Sequence, residues 1–250
     1  MREKAQKKAV GLSADTLKLI AIAAMLVDHA TTVFVAQYYS PAGSILHAIG
    51  RITGPTMFFF IVQGYWHTRS KNRYAMRLAV FALISYLPFI YFRSGALPTA
   101  DTFLDLNVIF TLFLGFLMSR ARHEVKNRVL GTLLMVGILL LSEAGDWGSF
   151  AIVCIFIFDF FRESFKKQAL AYCALSFVFL LSATLPLLNP FAGVGILLAC
   201  LVVYGGMLFP IALLSFYNGE KGRLPSGGKW LFYAIYPAHL LILGFLRWNI

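Results

Sequence analysis

A chain of 250 residues with 59% hydrophobic and 13% charged residues and a mean hydropathy of +0.75 lies outside the soluble globular class, which is about half apolar and a quarter charged. The formal net charge of +11 would suit a nucleic-acid binder, but the cations stand in short clusters between apolar runs of about twenty residues, the length that crosses ~30 Å of hydrocarbon. Composition and charge placement therefore exclude a nucleic-acid partner and predict an all-α, polytopic transmembrane bundle in contact with membrane lipid.

In chain order, residues 1–14 read as a basic cytoplasmic tail. Its start resembles a signal-peptide basic region, but the apolar run after it is long and carries Asp28 and His29, so an uncleaved first span is expected. Nine spans follow from the apolar runs: 17–38, 44–66, 74–92, 103–118, 129–141, 147–161, 168–188, 191–214 and 229–246. The fifth and sixth are short for a crossing, which leaves a re-entrant course open for either. Loops are signalled at 94–98, at Asn189-Pro190 and at 219–228. The last, GEKGRLPSGGK, lacks the adjacent Gly-Lys-Ser/Thr and the preceding strand of a phosphate-binding loop. Cys154, Cys173 and Cys200 stand singly in apolar runs and read as packing residues, and no metal site is expected. The whole of 1–250 reads as one integral membrane domain.

With the N-terminus inside, every Lys and Arg except Arg51, Arg93 and Arg247 falls on the inner side, while Asp101, Asp105, Glu143 and Asp146 fall outside. That alternation predicts an inside N-terminus and an outside C-terminus.

Ionisable groups deep in a span cost roughly 2.5–3.5 kcal/mol on insertion scales, and so mark candidate functional positions. The first span carries Asp28 and His29, the second His47 and Arg51, and the last Tyr236 and His239. Counting rise from Asp15 puts Asp28 ~20 Å into the membrane, ~10 Å from the outer surface. Arg51, counted inward from Ser44, reaches the same level. Gly50 and Gly54 form a G-x-x-x-G pair that allows close helix approach, and Pro55 introduces a kink. An Asp28–Arg51 ion pair between the first two helices is expected, acting either in function or only in holding the helices together.

His29 is the better chemical candidate, since a neutral imidazole takes up a proton near neutral pH. Lys18 lies eleven residues earlier, on nearly the same helical face and ~16 Å away along the axis. One stripe thus joins a cytoplasmic cation to a buried base, a geometry suited to a long anionic donor such as an acyl-coenzyme A. The loop HTRSKNRYAMR adds His67, Arg69, Lys71, Arg73 and Arg77, suited to phosphate contacts, to topology or to anionic lipid.

The runs LKLIAIAAMLVDH, IGRITGPTMFFFIVQGYWHT, LNVIF, YNGEKG and FYAIYPAHLLIL resemble, in order and spacing, the TraX family, which includes an N-terminal acetylase of conjugative F-pilin. The resemblance covers nearly the whole chain. It implies a multi-pass acetyltransferase of the bacterial cytoplasmic membrane that uses acetyl-coenzyme A as donor. It extends more loosely to transmembrane acyltransferases with a basic residue ahead of a first-helix histidine; those have Arg where this chain has Lys18, which keeps the charge but loses bidentate phosphate geometry. Carried over by position, it marks Asp28, His29, Gly50, Arg51, Pro55, His67, Thr68, Asn107, Tyr217, Asn218, Tyr236 and His239.

The catalytic set expected is His29, Asp28, Arg51 and His239, with His239 or Arg51 stabilising the oxyanion. Lys18, His67, Thr68, Arg69, Lys71, Arg73 and Arg77 are expected to hold acetyl-coenzyme A, and Asn107, Tyr217, Asn218 and Tyr236 the acceptor. The acceptor is left open between a pilin N-terminus and a cell-envelope glycan or lipid. Two other classes remain: a proton-coupled small-molecule transporter relaying through Asp28, His29 and Arg51, although no paired broken helices are evident in the sequence, and a haem-binding electron carrier ligated by His29 and His239.

Overall fold

Polar caps and prolines divide the apolar sequence into helices. The computed structural model describes residues 11–35, 40–188, 193–224 and 228–250, apart from the side chain of Lys229. Arg2, Lys4, Lys7 and Lys8 of the expected tail, the Asn189-Pro190 turn and part of the glycine-rich loop lie outside the described residues. In chain order the helices are α1 (Ala14–Phe34), α2 (Pro41–Gly50), α3 (Thr53–His67), α4 (Lys71–Ile84), α5 (Tyr86–Ser94), α6 (Val108–Glu124), α7 (Arg128–Leu141), α8 (Gly148–Phe160), α9 (Phe165–Thr184), α10 (Val194–Gly205), α11 (Phe209–Leu214) and α12 (Gly228–Asn249). Ser13, Ser40, Ser70, Asn107, Asn127 and Ser164 each accept a backbone N–H of the first turn they cap.

A proline has no N–H for the carbonyl four residues back, and its ring crowds that carbonyl. Pro55, Pro88 and Pro210 therefore account for the interruptions at Arg51–Ile52, at Ser85 and at Gly206. The kink expected from Pro55 is thus a full break between α2 and α3. At the third break Tyr172 donates its hydroxyl to the Met207 carbonyl over 2.6 Å.

Joined across these breaks, the helices form nine segments, one for each expected span. Six are long and apolar enough to cross a membrane: Ala14–Phe34, Pro41–His67, Lys71–Ser94, Phe165–Leu188, Val194–Leu214 and Trp230–Asn249. The protein is a multi-pass membrane protein, all-helical among the described residues. The remaining three, α6, α7 and α8, have 17, 14 and 13 residues, or ~25, ~21 and ~20 Å of rise. α8 can be short because it is central: Phe150, Ile152, Cys154, Ile155 and Phe158 are all buried. It packs with α3, whose Phe58–Val62 run is buried throughout. The fourth span is displaced most from expectation. Asn107 caps it, so α6 starts at Val108 and stays helical through Arg120 and Arg122 to Glu124.

Contacts sort the segment ends into two groups. Lys71–Glu124 at 3.0 Å and Arg122–Asp159 at 2.8 Å tie together one end, where the start of α1 also pairs with residues 216–221. At the other end Leu106 bonds the Ala144 carbonyl over 2.8 Å, and the Trp248 indole bonds the Phe92 carbonyl over 3.2 Å. The charge alternation of the sequence is therefore built as one basic end and one opposite end, the latter carrying Asp105, Glu143 and Asp146.

Candidate active site

Successive helical residues point ~100° apart, so Asp28 and His29 cannot face the same neighbour. His29 faces α12: its Nδ1 lies 2.7 Å from Nε2 of His239, and the two rings stack with centroids 4.9 Å apart and planes 12° apart. Nδ1 of His239 is 2.9 Å from the Ile235 carbonyl, one turn back on the same helix. A carbonyl only accepts, so the Nδ1–H of His239 donates to it, and in neutral His239 the lone pair is on Nε2. Nδ1–H of His29 must then donate to that Nε2, which leaves the lone pair of neutral His29 on its own Nε2. The network thus assigns both tautomers and makes His29 Nε2 the basic atom of the pair. Phe92 lies 5.2 Å from the His29 ring, and Tyr236 packs edge-on against His239 at 5.5 Å. Tyr236 and His239 are buried.

The arrangement does not fit axial haem ligation, because a nitrogen–nitrogen separation of 2.7 Å is a hydrogen bond and leaves no room for an iron between the rings.

Asp28 faces α2. Its Oδ1 is 2.7 Å from Nδ1 of His47, which is 2% exposed. The partner is therefore His47 where Arg51 was expected, and the reason is register. α2 starts at Pro41, behind the Ser40 cap, three residues before the assumed origin at Ser44, and that shift brings His47 to the level assigned to Arg51. The small-residue expectation is met at Gly50, where a Cβ would collide with the Asp28 side chain, and at Gly54, where it would stand 2.8 Å from the Trp147 ring. Arg51 lies over the faces of Trp147 and Tyr204, at 5.5 and 5.7 Å.

Trp147, at φ 71, is in the left-handed region, a conformation that costs a bulky residue on the order of 1–3 kcal/mol. The turn is held by Asp146 N–H bonding the Leu106 carbonyl over 2.8 Å and by the Thr111 hydroxyl bonding the Asp146 carbonyl over 2.6 Å. Asp146 is half-buried in this turn. Burial pushes its carboxyl up to about 6, against the pull of Arg93 and Arg51.

Lys18 occupies the basic end of the His29 stripe, its ammonium 4.9 Å from the Phe60 ring and 5.5 Å from the Phe232 ring. The YNGEKG run folds directly beside it. Ala14 and Asp15 N–H groups bond the Glu220 and Lys221 carbonyls over 2.8 and 2.9 Å, and the Asp15 carboxylate accepts from Leu224 N–H.

The expected donor-binding residues separate here. Arg69 and Arg73 are exposed. His67 is exposed and donates from Nδ1 to the Gln63 carbonyl, while the Thr68 hydroxyl turns to the Ser70 carbonyl. Lys71 pairs with Glu124 and lies 3.9 Å over the Tyr65 ring. Arg77 lies over the Tyr74 ring, 5.3 Å from its centroid. Lys71 and Arg77 are thus engaged within the bundle rather than presented with Arg69 and Arg73.

Of the expected acceptor residues, Asn107 is 1% exposed and committed to the fold. Its Oδ1 caps Ile109 and Phe110 N–H, and its Nδ2 donates to the Ala82 carbonyl over 2.7 Å. Asn218 closes its own turn by accepting from Glu220 N–H over 2.9 Å. Tyr217 packs edge-on against Phe59 and Phe60, where burial raises its phenol above the usual range. Only Tyr236 adjoins the histidine pair.

The sequence does not single out Asp146 or Trp147 as site residues, and it marks His47 as a buried ionisable group without pairing it with Asp28. His47 carried a signal, since it stands one turn from Arg51 on the same face; the left-handed turn at Trp147 carried none.

A family model described as TraX protein matches residues 13–247. The probable fimbrial assembly protein FimC, serogroup H1, of Dichelobacter nodosus is 31% identical over 239 residues, covering 94% of this chain and 95% of that one. No solved structure matches.

Proposed function

The chain belongs to the TraX family, and from that premise we propose that it is a membrane-embedded acetyltransferase, moving an acetyl group from acetyl-coenzyme A at the basic end to an amine or hydroxyl acceptor. The observation that carries this reading is the His29–His239 hydrogen bond, which leaves the basic lone pair on His29 Nε2, on the same face of α1 as Lys18.

In the proposed reaction the donor's phosphates lie near Lys18 and Lys221, with the exposed Arg69 and Arg73 adding charge. Its thioester reaches toward His29. The acceptor nitrogen or oxygen attacks the thioester carbonyl as His29 Nε2 takes the acceptor's proton. The imidazolium so formed still donates from Nδ1 to His239, which accepts it as the orienting carboxylate of a catalytic triad accepts from its histidine. Collapse of the tetrahedral adduct expels the coenzyme A thiolate, which recovers the proton from His29, giving acetylated acceptor and free thiol. His239 thereby takes a positioning role in place of the oxyanion role expected for it, and Arg51 acts on the opposite-end side of the site.

The relative's printed name concerns fimbrial assembly, which favours a pilin N-terminal amine as acceptor over an envelope glycan or lipid. With an inside N-terminus the basic end faces the cytoplasm, where acetyl-coenzyme A is made. The test is transfer of label from radiolabelled acetyl-coenzyme A to a peptide with a free N-terminus by the purified protein in nanodiscs; label should reach the peptide amine, and transfer to a lipid or glycan fraction alone would move the acceptor.

A proton-coupled transporter is the second reading, favoured by the broken helices at Arg51–Ile52 and Ser85. Substrate-driven proton flux in vesicles without label transfer would establish it.

A further inference from the structure

The α6–α8 seam at the basic end takes no part in the acetyl-transfer site. Asp159, 3% exposed, accepts from the Trp66 indole over 3.0 Å and from Arg122 over 2.8 Å, with His123 Nε2 2.7 Å away. These bonds fix the floor of a cleft of about 230 Å³ that Arg162 and Lys167 also line. Arg162 lies 4.0 Å over the Trp66 ring and bonds Glu163 over 3.1 Å. The Lys167 ammonium has no partner among the described residues. Three permanent cations thus surround two carboxylates, and most guanidinium N–H groups remain beyond the single contacts to Asp159 and Glu163.

One helical turn further into the membrane the same seam is lined by apolar side chains apart from Thr132. Met118 is one turn from Arg122 on α6, and Phe156 one turn from Phe160 on α8. Together with Met135, Leu139 and Ile152 they line a second groove, of about 270 Å³, that carries no polar surface. It lies beside α7, whose Leu133, Val136 and Leu140 are exposed. A cationic cleft one helical turn from an apolar groove on the same two helices has the polarity of a single phospholipid: anionic head at the membrane surface, acyl chain running inward.

We propose that this seam is a binding site for one anionic glycerophospholipid, its phosphate held by Arg122, Arg162 and Lys167 and one acyl chain lying in the groove between α6, α7 and α8. Charge complementarity selects the anionic head, since a zwitterionic lipid would bring its own ammonium against these cations. The site stands independently of the acetyl-transfer reading.

The test is native mass spectrometry of the full chain, delipidated and titrated with phosphatidylglycerol or phosphatidylcholine of identical acyl chains. One phosphatidylglycerol should remain bound under activation that strips phosphatidylcholine. Arg162→Ala with Lys167→Ala, both at exposed positions that leave the Asp159 network in place, should reduce its bound fraction about tenfold, the equivalent of 1.4 kcal/mol. Val136→Trp, which fills the groove, should reduce it also, and millimolar inorganic phosphate should not displace the lipid. Equal retention of the two lipids, or retention unchanged in the double variant, would overturn the proposal. Displacement by inorganic phosphate with no effect of Val136→Trp would overturn it in favour of a free-anion site.

Discussion

His29 donates from Nδ1 to Nε2 of His239 over 2.7 Å, and because His239 spends its own Nδ1–H on the Ile235 carbonyl, the pair has one direction. Replacing His239 with Ala removes the acceptor and frees the His29 ring. Acetyl transfer should then fall in kcat by about 10²–10³, within the range of positioned acid–base catalysis, with KM for acetyl-coenzyme A unchanged. His239→Gln, whose amide oxygen can still accept, should retain more activity than His239→Ala. Equal losses in the two variants would mean that the histidine ring itself, rather than its acceptor atom, is needed.

Lys18 sits three turns from His29 with its ammonium between Phe60 and Phe232. Lys18→Ala should raise KM for acetyl-coenzyme A by about 10- to 100-fold, the worth of a charge-assisted contact, and leave kcat nearly intact. Lys18→Arg should restore affinity. Equilibrium binding of labelled coenzyme A checks both, and an unaltered affinity in Lys18→Ala would remove Lys18 from the donor site.

Gly50 gives α1 and α2 their closest approach, at the Asp28 side chain. Gly50→Ala should destabilise by about 1–3 kcal/mol, as overpacking does, and should disturb the Asp28–His47 contact. The thermal unfolding midpoint in detergent should fall accordingly.

Asp146 binds its proton more tightly folded than unfolded, since burial raises it to about 6 from 3.8. Between those two values the folded state holds more protons, so stability falls as pH rises through this window and the penalty is complete above it. Discounted for partial exposure, the effect is up to about 2 kcal/mol. Asp146→Asn should therefore unfold at a higher temperature than the parent at pH 7 and at nearly the same temperature at pH 4. Parallel curves for parent and variant would remove Asp146 as the source.

Much of this bundle is legible in the apolar runs: each expected span became a helical segment, and the breaks fall where Pro55, Pro88 and Pro210 deny a carbonyl its donor. Levels between helices are less legible. Counting from Ser44 matched Asp28 with Arg51, whereas the Ser40 cap and Pro41 start three residues earlier and deliver His47. Nor does counting rise along single helices show that the His29 and His239 rings stack, because helices tilt and start at different heights. Asn107 was recognisable as a position and not as a cap, since only the structure shows Ala82 beside it. Asp159, two residues from the end of an expected span, gave no sign of the Trp66, Arg122 and His123 groups that the fold gathers around it.

The central claim is that His29 is the base of an acetyl transfer, and single-turnover transfer from radiolabelled acetyl-coenzyme A by His29→Ala tests it most directly. A variant that retains the parent's detergent elution profile and donor affinity should lose transfer by about 10²–10⁴-fold. Transfer at the parent rate by that folded, donor-binding variant would contradict the claim.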